Sequence, residues 1–253
     1  MTDKNLKRLM PIQDRGAGTF KFWDNDSEDL FKENLKYQPE DWIYRTKSVS
    51  YKFNSDHYRT AEFESIPWEE SIVIFGTSNV FGIGLNVKDT IAGQLSAMTG
   101  VPVINLGVPG SSAHAVLYNC SLFKQNFPKP KGVIVEYPEA SRCTLFMPVP
   151  GVLDRSLFDV VNCGWWTDDP SDLGQAWRRY DMNIKMHSKL TRIAIQQMWS
   201  DVLYADYHHF PSNRIVLPDC KYIEIDDTAR DDSHPGIQTI YNAAEYLAKE
   251  LNL

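Results

Sequence analysis

The sequence predicts an α/β fold, a three-layer α/β/α arrangement around a central parallel sheet. Three observations predict it. From Ser71 onward, short apolar runs alternate with segments of helical periodicity, the pattern of strand–helix–strand units. The runs Ile72–Phe75, "VPVINLG" and "GVIVEY" are apolar almost throughout, as strands buried on both faces are. Each run empties into a turn of glycine, serine or acidic residues, and parallel sheets bind ligands beyond those carboxyl ends.

Taken in order, Ile72–Phe75 is the first core strand. The helix "DTIAGQLSAMTG" follows, with Asp89 or Thr90 as N-cap and Gly100 as its stop. "VPVINLG" is the second strand. Ser111 or Ser112 then caps a helix whose apolar positions Ala113, Val116, Leu117 and Cys120 fall at helical spacing. "GVIVEY" is the third strand. Residues 141–180, rich in Pro, Gly and aromatics, are too long for a plain connection and read as a lid or substrate-facing insertion. Its pair Trp165–Trp166 is expected to build the insertion's own small core. A long helix is expected from about Leu173 to Ser200, a strand around Val202–Tyr207, and a last strand at "KYIEI". The closing helix presents Ile237, Ile240, Tyr241, Ala244, Leu247 and Leu251 on one face. Residues 1–70 are polar and punctuated by aromatics. They read as an N-terminal extension packed on a 71–253 core domain, with "SVSYKFNSDHYRT" folding into a short hairpin.

Composition excludes several function classes. A net charge of -7 and the lack of a dense Lys/Arg run argue against a nucleic-acid surface and against docking on anionic membranes. No 18-residue apolar stretch is present to span a bilayer, and "MTDKNLKRLMPIQDRG" has no apolar signal core, so the default expectation is a cytoplasmic location. The four cysteines form no CxxC pair and lie near no histidine at zinc spacing; they are expected as buried free thiols, with no metal site. His208 and His209 are neighbours whose side chains point to opposite faces of a strand, and they read as a surface or loop pair.

The stretch "FGTSNVFGIGL" is where chemistry enters. It lacks the lysine of a phosphate loop after Gly82, the third glycine of a dinucleotide fingerprint, and the second glycine of GxSxG. What remains is Ser78 just past a strand. A serine is a poor nucleophile at neutral pH unless a histidine takes its proton and a third group orients that histidine. Of six histidines, only His234 sits at a core turn with a carboxylate at short fixed spacing: Asp231, in "ARDDSHPG".

Together these pieces resemble the SGNH (GDSL) hydrolase family. The first block, GDSxxxGxG, is matched by Gly76-Thr77-Ser78-Asn79-Val80-Phe81-Gly82-Ile83-Gly84. The second, N-x-G-x-x-G, is matched by Asn105 to Gly110, and the fifth, DxxHP, by Asp231 to Pro235. The resemblance spans residues 71–253 and implies a flavodoxin-like sheet of SGNH type. It implies a serine esterase with Ser78 as nucleophile, His234 as general base and then acid, and Asp231 as orienter. The backbone N–H groups of Ser78 and Gly107 would form the oxyanion hole. No metal or organic cofactor is implied, and the substrate would be a small-molecule or glycan ester such as an O-acetylated carbohydrate. An acyltransferase using the same triad and a noncatalytic binding domain are the alternatives. The chain departs from the pattern at Thr77, where the family has aspartate, and at Ala140, where it has an oxyanion-binding asparagine. Asn79 and Arg142 are the nearest substitutes, and Arg142 also suits an anionic substrate.

Overall fold

The computed structural model describes residues 9, 17–148, 158–163, 181–209 and 220–253. Two short strands, β1 (Gly18–Phe20) and β2 (Tyr51–Phe53), pair antiparallel with Thr19 opposite Lys52, and α1 (Glu28–Tyr37) lies between them in sequence. The expected local hairpin is therefore not formed. Asn54 closes a tight side-chain turn instead, its Oδ1 accepting the N–H groups of Asp56 at 3.1 Å and Tyr58 at 2.8 Å.

The core elements follow: β3 (Ile72–Gly76), α2 (Ser78–Phe81), α3 (Ile91–Thr99), β4 (Val103–Gly107), α4 (Ala113–Asn126) and β5 (Gly132–Glu136). An antiparallel pair, β6 (Cys143–Pro148) and β7 (Phe158–Cys163), occupies part of the predicted insertion. Trp165–Trp166 and the expected start of the long helix fall outside the described residues. The chain continues with α5 (Asp181–Met198), β8 (Leu203–His208), β9 (Lys221–Tyr222) and α6 (Ile237–Glu250).

The central sheet has the order β4-β3-β5-β8-β9 and is parallel throughout. Every residue of β3, β4 and β5 is buried, as their unbroken apolar runs predict. Helix α3 packs against α6, and α4 against α5. The crossover from β3 to β4 runs towards one edge and that from β4 to β5 runs back towards the other, so right-handed connections place these pairs on opposite faces. That gives the predicted three layers. The chain reverses its direction of strand addition at β3 and β5, so the crevice beyond their carboxyl ends is the switch point where ligands bind in such sheets.

Local chemistry fixes the element ends. Thr90, not Asp89, caps α3 by accepting from the Gly93 N–H at 3.3 Å; Ser112 caps α4, and Gly100 closes α3 at φ 70°. In α6 the buried stripe is Ile240, Ala243, Ala244 and Leu247. Tyr241, expected in the core, is 42% exposed, because Ala243 completes the face at the 3.6-residue period. The last strand is shorter than "KYIEI", ending at Tyr222.

The N-terminal segment shares the core rather than lying loosely on it. Trp23 packs on Phe53 with ring centroids 4.5 Å apart, and Tyr51 stacks on Phe81 of α2 at 6.1 Å. Its deepest contact is ionic. Arg230 donates to Asp26 through Nε at 2.8 Å and Nη2 at 2.6 Å, with side chains only 2% and 1% exposed. The guanidinium also lies 4.6 Å from the Phe22 ring. Removing one partner leaves a buried charge uncompensated, so Asp26→Ala is expected to lower unfolding free energy by about 3–5 kcal/mol in urea titrations. An Asp26→Leu/Arg230→Met double variant should recover much of that loss.

Candidate active site

Strand β3 ends at Gly76, and α2 begins with Ser78, capped by Thr77, whose hydroxyl accepts from the Asn79 N–H at 3.4 Å. Gly76 is required by close packing: a Cβ there would lie 2.5 Å from Val80 Cγ2 and 2.7 Å from Glu136 Oε2. Gly84, at φ +76°, would meet Ala229 Cβ and the Arg230 nitrogen, both at 2.7 Å. The glycines of the 76–84 block thus bring the Ser78 turn against both β5 and the loop that carries Asp231.

Two buried ionisable side chains brace this turn. Arg59, from "NSDHYRT", is 2% exposed and donates to the carbonyls of Phe81 at 2.9 Å, Gly82 at 2.7 Å and Leu85 at 2.8 Å. Burial pulls its guanidinium down to about 10, so it stays cationic at neutral pH beneath the carbonyl end of α2. Glu136, the last residue of β5, is fully buried. Its Oε2 accepts the Thr77 N–H at 2.8 Å and its Oε1 accepts from Asn79 Nδ2 at 3.0 Å, so one carboxylate grips both neighbours of Ser78. Burial raises the Glu136 carboxyl above its usual value, against the opposing pull of the Thr77 N–H, the Arg142 charge and the Asn79 amide.

The second half of the site is the 231–235 turn. Asp231 Oδ2 lies 2.5 Å from His234 Nδ1, Ser233 Oγ donates to the same oxygen at 2.6 Å, and the His234 N–H reaches Oδ1 at 3.3 Å. A carboxylate can only accept, so Nδ1 carries the proton and Nε2 is left as the basic nitrogen. Burial raises the Asp231 carboxyl, but the His234 and Ser233 hydrogen bonds and the His234 charge outweigh it, and the net position is below the ordinary carboxylate value. Asp232 turns away in a left-handed conformation, φ 56°, and accepts from Thr228 Oγ1 at 2.7 Å.

Ser78 and His234 line one cavity of about 230 Å³, together with Asn79, Arg142 and Gly110. Most of the residues picked from the sequence therefore converge. Gly107 does not: it is absent from the cavity wall, and its N–H donates to Asn105 Oδ1 at 3.0 Å. Its role is close approach, since a Cβ there would lie 2.5 Å from the Phe81 nitrogen. Gly110, at φ 75°, is the glycine of that block that reaches the cavity. Asn79 lines the cavity with one amide hydrogen committed to Glu136. Arg142 is 8% exposed.

The wall also holds residues that the sequence did not single out as functional. Asp24 and Asn25 reach it from the N-terminal segment, at a turn closed by reciprocal Trp23–Asp26 backbone bonds of 3.1 Å. His209 belongs to it too, and both His208 and His209 are buried, not a surface pair. His209 sits just past the carboxyl end of β8. The one available signal for Glu136 was a lone carboxylate closing a continuous apolar strand. Among the described residues no group of three His, Cys, Asp or Glu is placed to hold a metal ion, and no helix is long and apolar enough to cross a membrane.

No protein-family model matches the chain, and no curated protein matches it. Solved structures to which it is similar include a member of the lipolytic protein G-D-S-L family from Veillonella parvula, at 12% identity and TM-score 0.42, covering 71% of this chain and 96% of that one. A carbohydrate esterase family 2 enzyme from Corynascus thermopiles gives 12% identity and TM-score 0.42 over 75% of this chain and 69% of that one. An acetyl xylan esterase from Butyrivibrio proteoclasticus gives 10% identity and TM-score 0.39 over 74% and 65%.

The depressed Asp231 carboxyl makes stability pH-dependent with a definite sign. Its contribution is complete above the ordinary value of 3.8 and is lost as pH falls through the lower folded-state value. Asp231→Asn lacks that contribution. Urea titrations should show a gap between the two proteins that narrows as pH falls through the acid range, and does not widen.

Proposed function

We propose that this chain is a serine esterase of the SGNH type that hydrolyses a carboxylic ester through an acyl-enzyme. The observation that carries the proposal is a single cavity shared by Ser78 and His234, with Asp231 bonded to the far nitrogen of that histidine. In this reading His234 Nε2 takes the Ser78 proton as Oγ attacks the ester carbonyl carbon. The carbonyl electron pair moves onto oxygen, and the tetrahedral intermediate forms. The Asp231 carboxylate stabilises the imidazolium without taking its proton. Collapse expels the alcohol, which receives that proton from Nε2. A water then repeats the sequence on the acyl-enzyme, with His234 as its base, and releases the acid.

The oxyanion needs donors already in place. Ser78 is the first residue of α2, and N–H groups in a first helical turn have no partner within the helix. Gly110 supplies the second backbone donor in this proposal, in the place first expected of Gly107. Arg142 supplies the third, in the place of the asparagine that Ala140 lacks. Substrate remains an ester small enough at its acyl end for a cavity of about 230 Å³, with O-acetylated carbohydrate as the class the sequence suggested.

Ser78→Ala is expected to abolish p-nitrophenyl acetate turnover above the background rate and to prevent fluorophosphonate labelling; equal rates for the two proteins would remove the hydrolase reading. Arg142→Ala should lower kcat by about a hundredfold or more, the usual effect of losing one oxyanion donor, with little change in KM. A rise in KM alone would make Arg142 a substrate-binding group instead.

A further inference from the structure

The esterase reading uses Ser78, Asp231, His234 and the donors around them, and leaves His209 unexplained. Its ring is 1% exposed and forms part of the same cavity wall. Nδ1 lies 3.1 Å from the Ile223 carbonyl oxygen, which can only accept, so Nδ1 is the protonated nitrogen. Nε2 is therefore a lone-pair acceptor, and it is buried without a hydrogen-bond partner. The ring is held edge-on against Tyr207, with centroids 5.2 Å apart and planes at 85°. It cannot easily turn to find another partner.

A buried acceptor left unpaired costs free energy, and an enzyme site carries that cost where a ligand supplies the missing donor. Resting on the esterase reading, we propose that His209 is a specificity residue, whose Nε2 accepts a hydrogen bond from a hydroxyl group on the ester substrate. The alcohol portion is then polyhydroxylated or at least hydroxyl-bearing, and a plain alkyl ester of the same size is a poorer substrate. Burial brings the ring down to about 4, outweighing the Ile223 hydrogen bond and reinforced by His208. At neutral pH the imidazole is uncharged and offers an acceptor, not a second donor. Asp24 and Asn25 add further polar groups to the same wall. The chemistry matches sites that reject an analogue lacking the expected hydroxyl, because the analogue leaves a buried polar group unsatisfied.

Glycerol monoacetate and propyl acetate make a matched pair that differs only in hydroxyl groups. The wild-type protein should favour the first in kcat/KM by about tenfold to a hundredfold, the range expected when one buried hydrogen bond is satisfied or left unmade. His209→Phe should bring that ratio close to one. His209→Gln, which returns an acceptor near the Nε2 position, should restore part of it. Fluorophosphonate labelling of Ser78 in each variant identifies any that has failed to fold. A ratio unchanged in His209→Phe, or no preference in the wild type, overturns the proposal. Nitrogen-15 spectra of the histidine rings, recorded on Ser78→Ala protein titrated with glycerol monoacetate, test it without turnover. A shift of the His209 Nε2 resonance supports the acceptor role even if no ester is hydrolysed, whereas an unmoved resonance overturns it. Absence of Ser78-dependent hydrolysis together with that shift would remove the esterase reading alone.

Discussion

The Asp26–Arg230 ion pair is the contact on which the geometry of the site depends. A parallel sheet fixes where strands end but not how the loops beyond them are aimed. Arg230 immediately precedes Asp231, and its guanidinium is anchored to Asp26, while its backbone carbonyl accepts from Asn34 Nδ2 at 3.0 Å. Both partners come from the N-terminal segment. With charges this deeply buried, any movement of the 231–235 turn would separate them in a medium of low polarisability, so the turn has one favoured position. The same Asp26 also accepts from the Tyr51 hydroxyl, and that hydroxyl accepts from the Gly84 N–H at 2.7 Å. One carboxylate thus ties the histidine turn to the loop that follows the serine.

The serine side has its own buried charges, placed by different logic. Glu136 accepts from Thr77 and Asn79, and Arg59 caps the carbonyl end of α2. A four-residue helix has too few internal hydrogen bonds to hold its own geometry. Fixing it from outside, with the Glu136 oxygens accepting at one end and a guanidinium donating at the other, matches each group to the helix end it can satisfy. The result is a Ser78 turn whose shape is set by residues far from it in sequence.

What could be read in advance follows from this division. The sheet, its helices and the Asp231–His234 pair were legible because each is encoded locally: apolar runs, caps, and a carboxylate three residues from a histidine. The antiparallel pairing of β1 with β2 was not, since Asn54 makes a turn that looks like a hairpin in sequence but closes locally on Asp56 and Tyr58. His209 and Glu136 were missed because their roles depend on which residues the strand ends bring together, and adjacent histidines or a single acid carry no periodic signal. Gly107 was expected to face the site, yet Gly110 is the glycine that lines the cavity, and both belong to one block. Only the register of β3 with β4, which pairs Gly76 with Gly107 and buries the latter's N–H against Asn105, separates them.

The proposed use of Arg142 where an oxyanion-binding asparagine was expected also acquires a physical setting. A neutral amide and a guanidinium are not equivalent donors: the second brings a full charge, and a buried cation needs a counter-charge. The Arg142 charge acts on the Glu136 carboxyl, but burial outweighs that charge and the Thr77 and Asn79 hydrogen bonds together, and the net shift is upward. In the proposed reaction the oxyanion brings negative charge beside that guanidinium at the moment when the imidazolium forms across the cavity. Charge is then created in pairs, with Arg142 facing the oxyanion and Asp231 facing His234. The proposed hole therefore depends on Arg142 in a way that a neutral amide would not impose: a guanidinium is the stronger donor at the step where the oxyanion brings negative charge beside it.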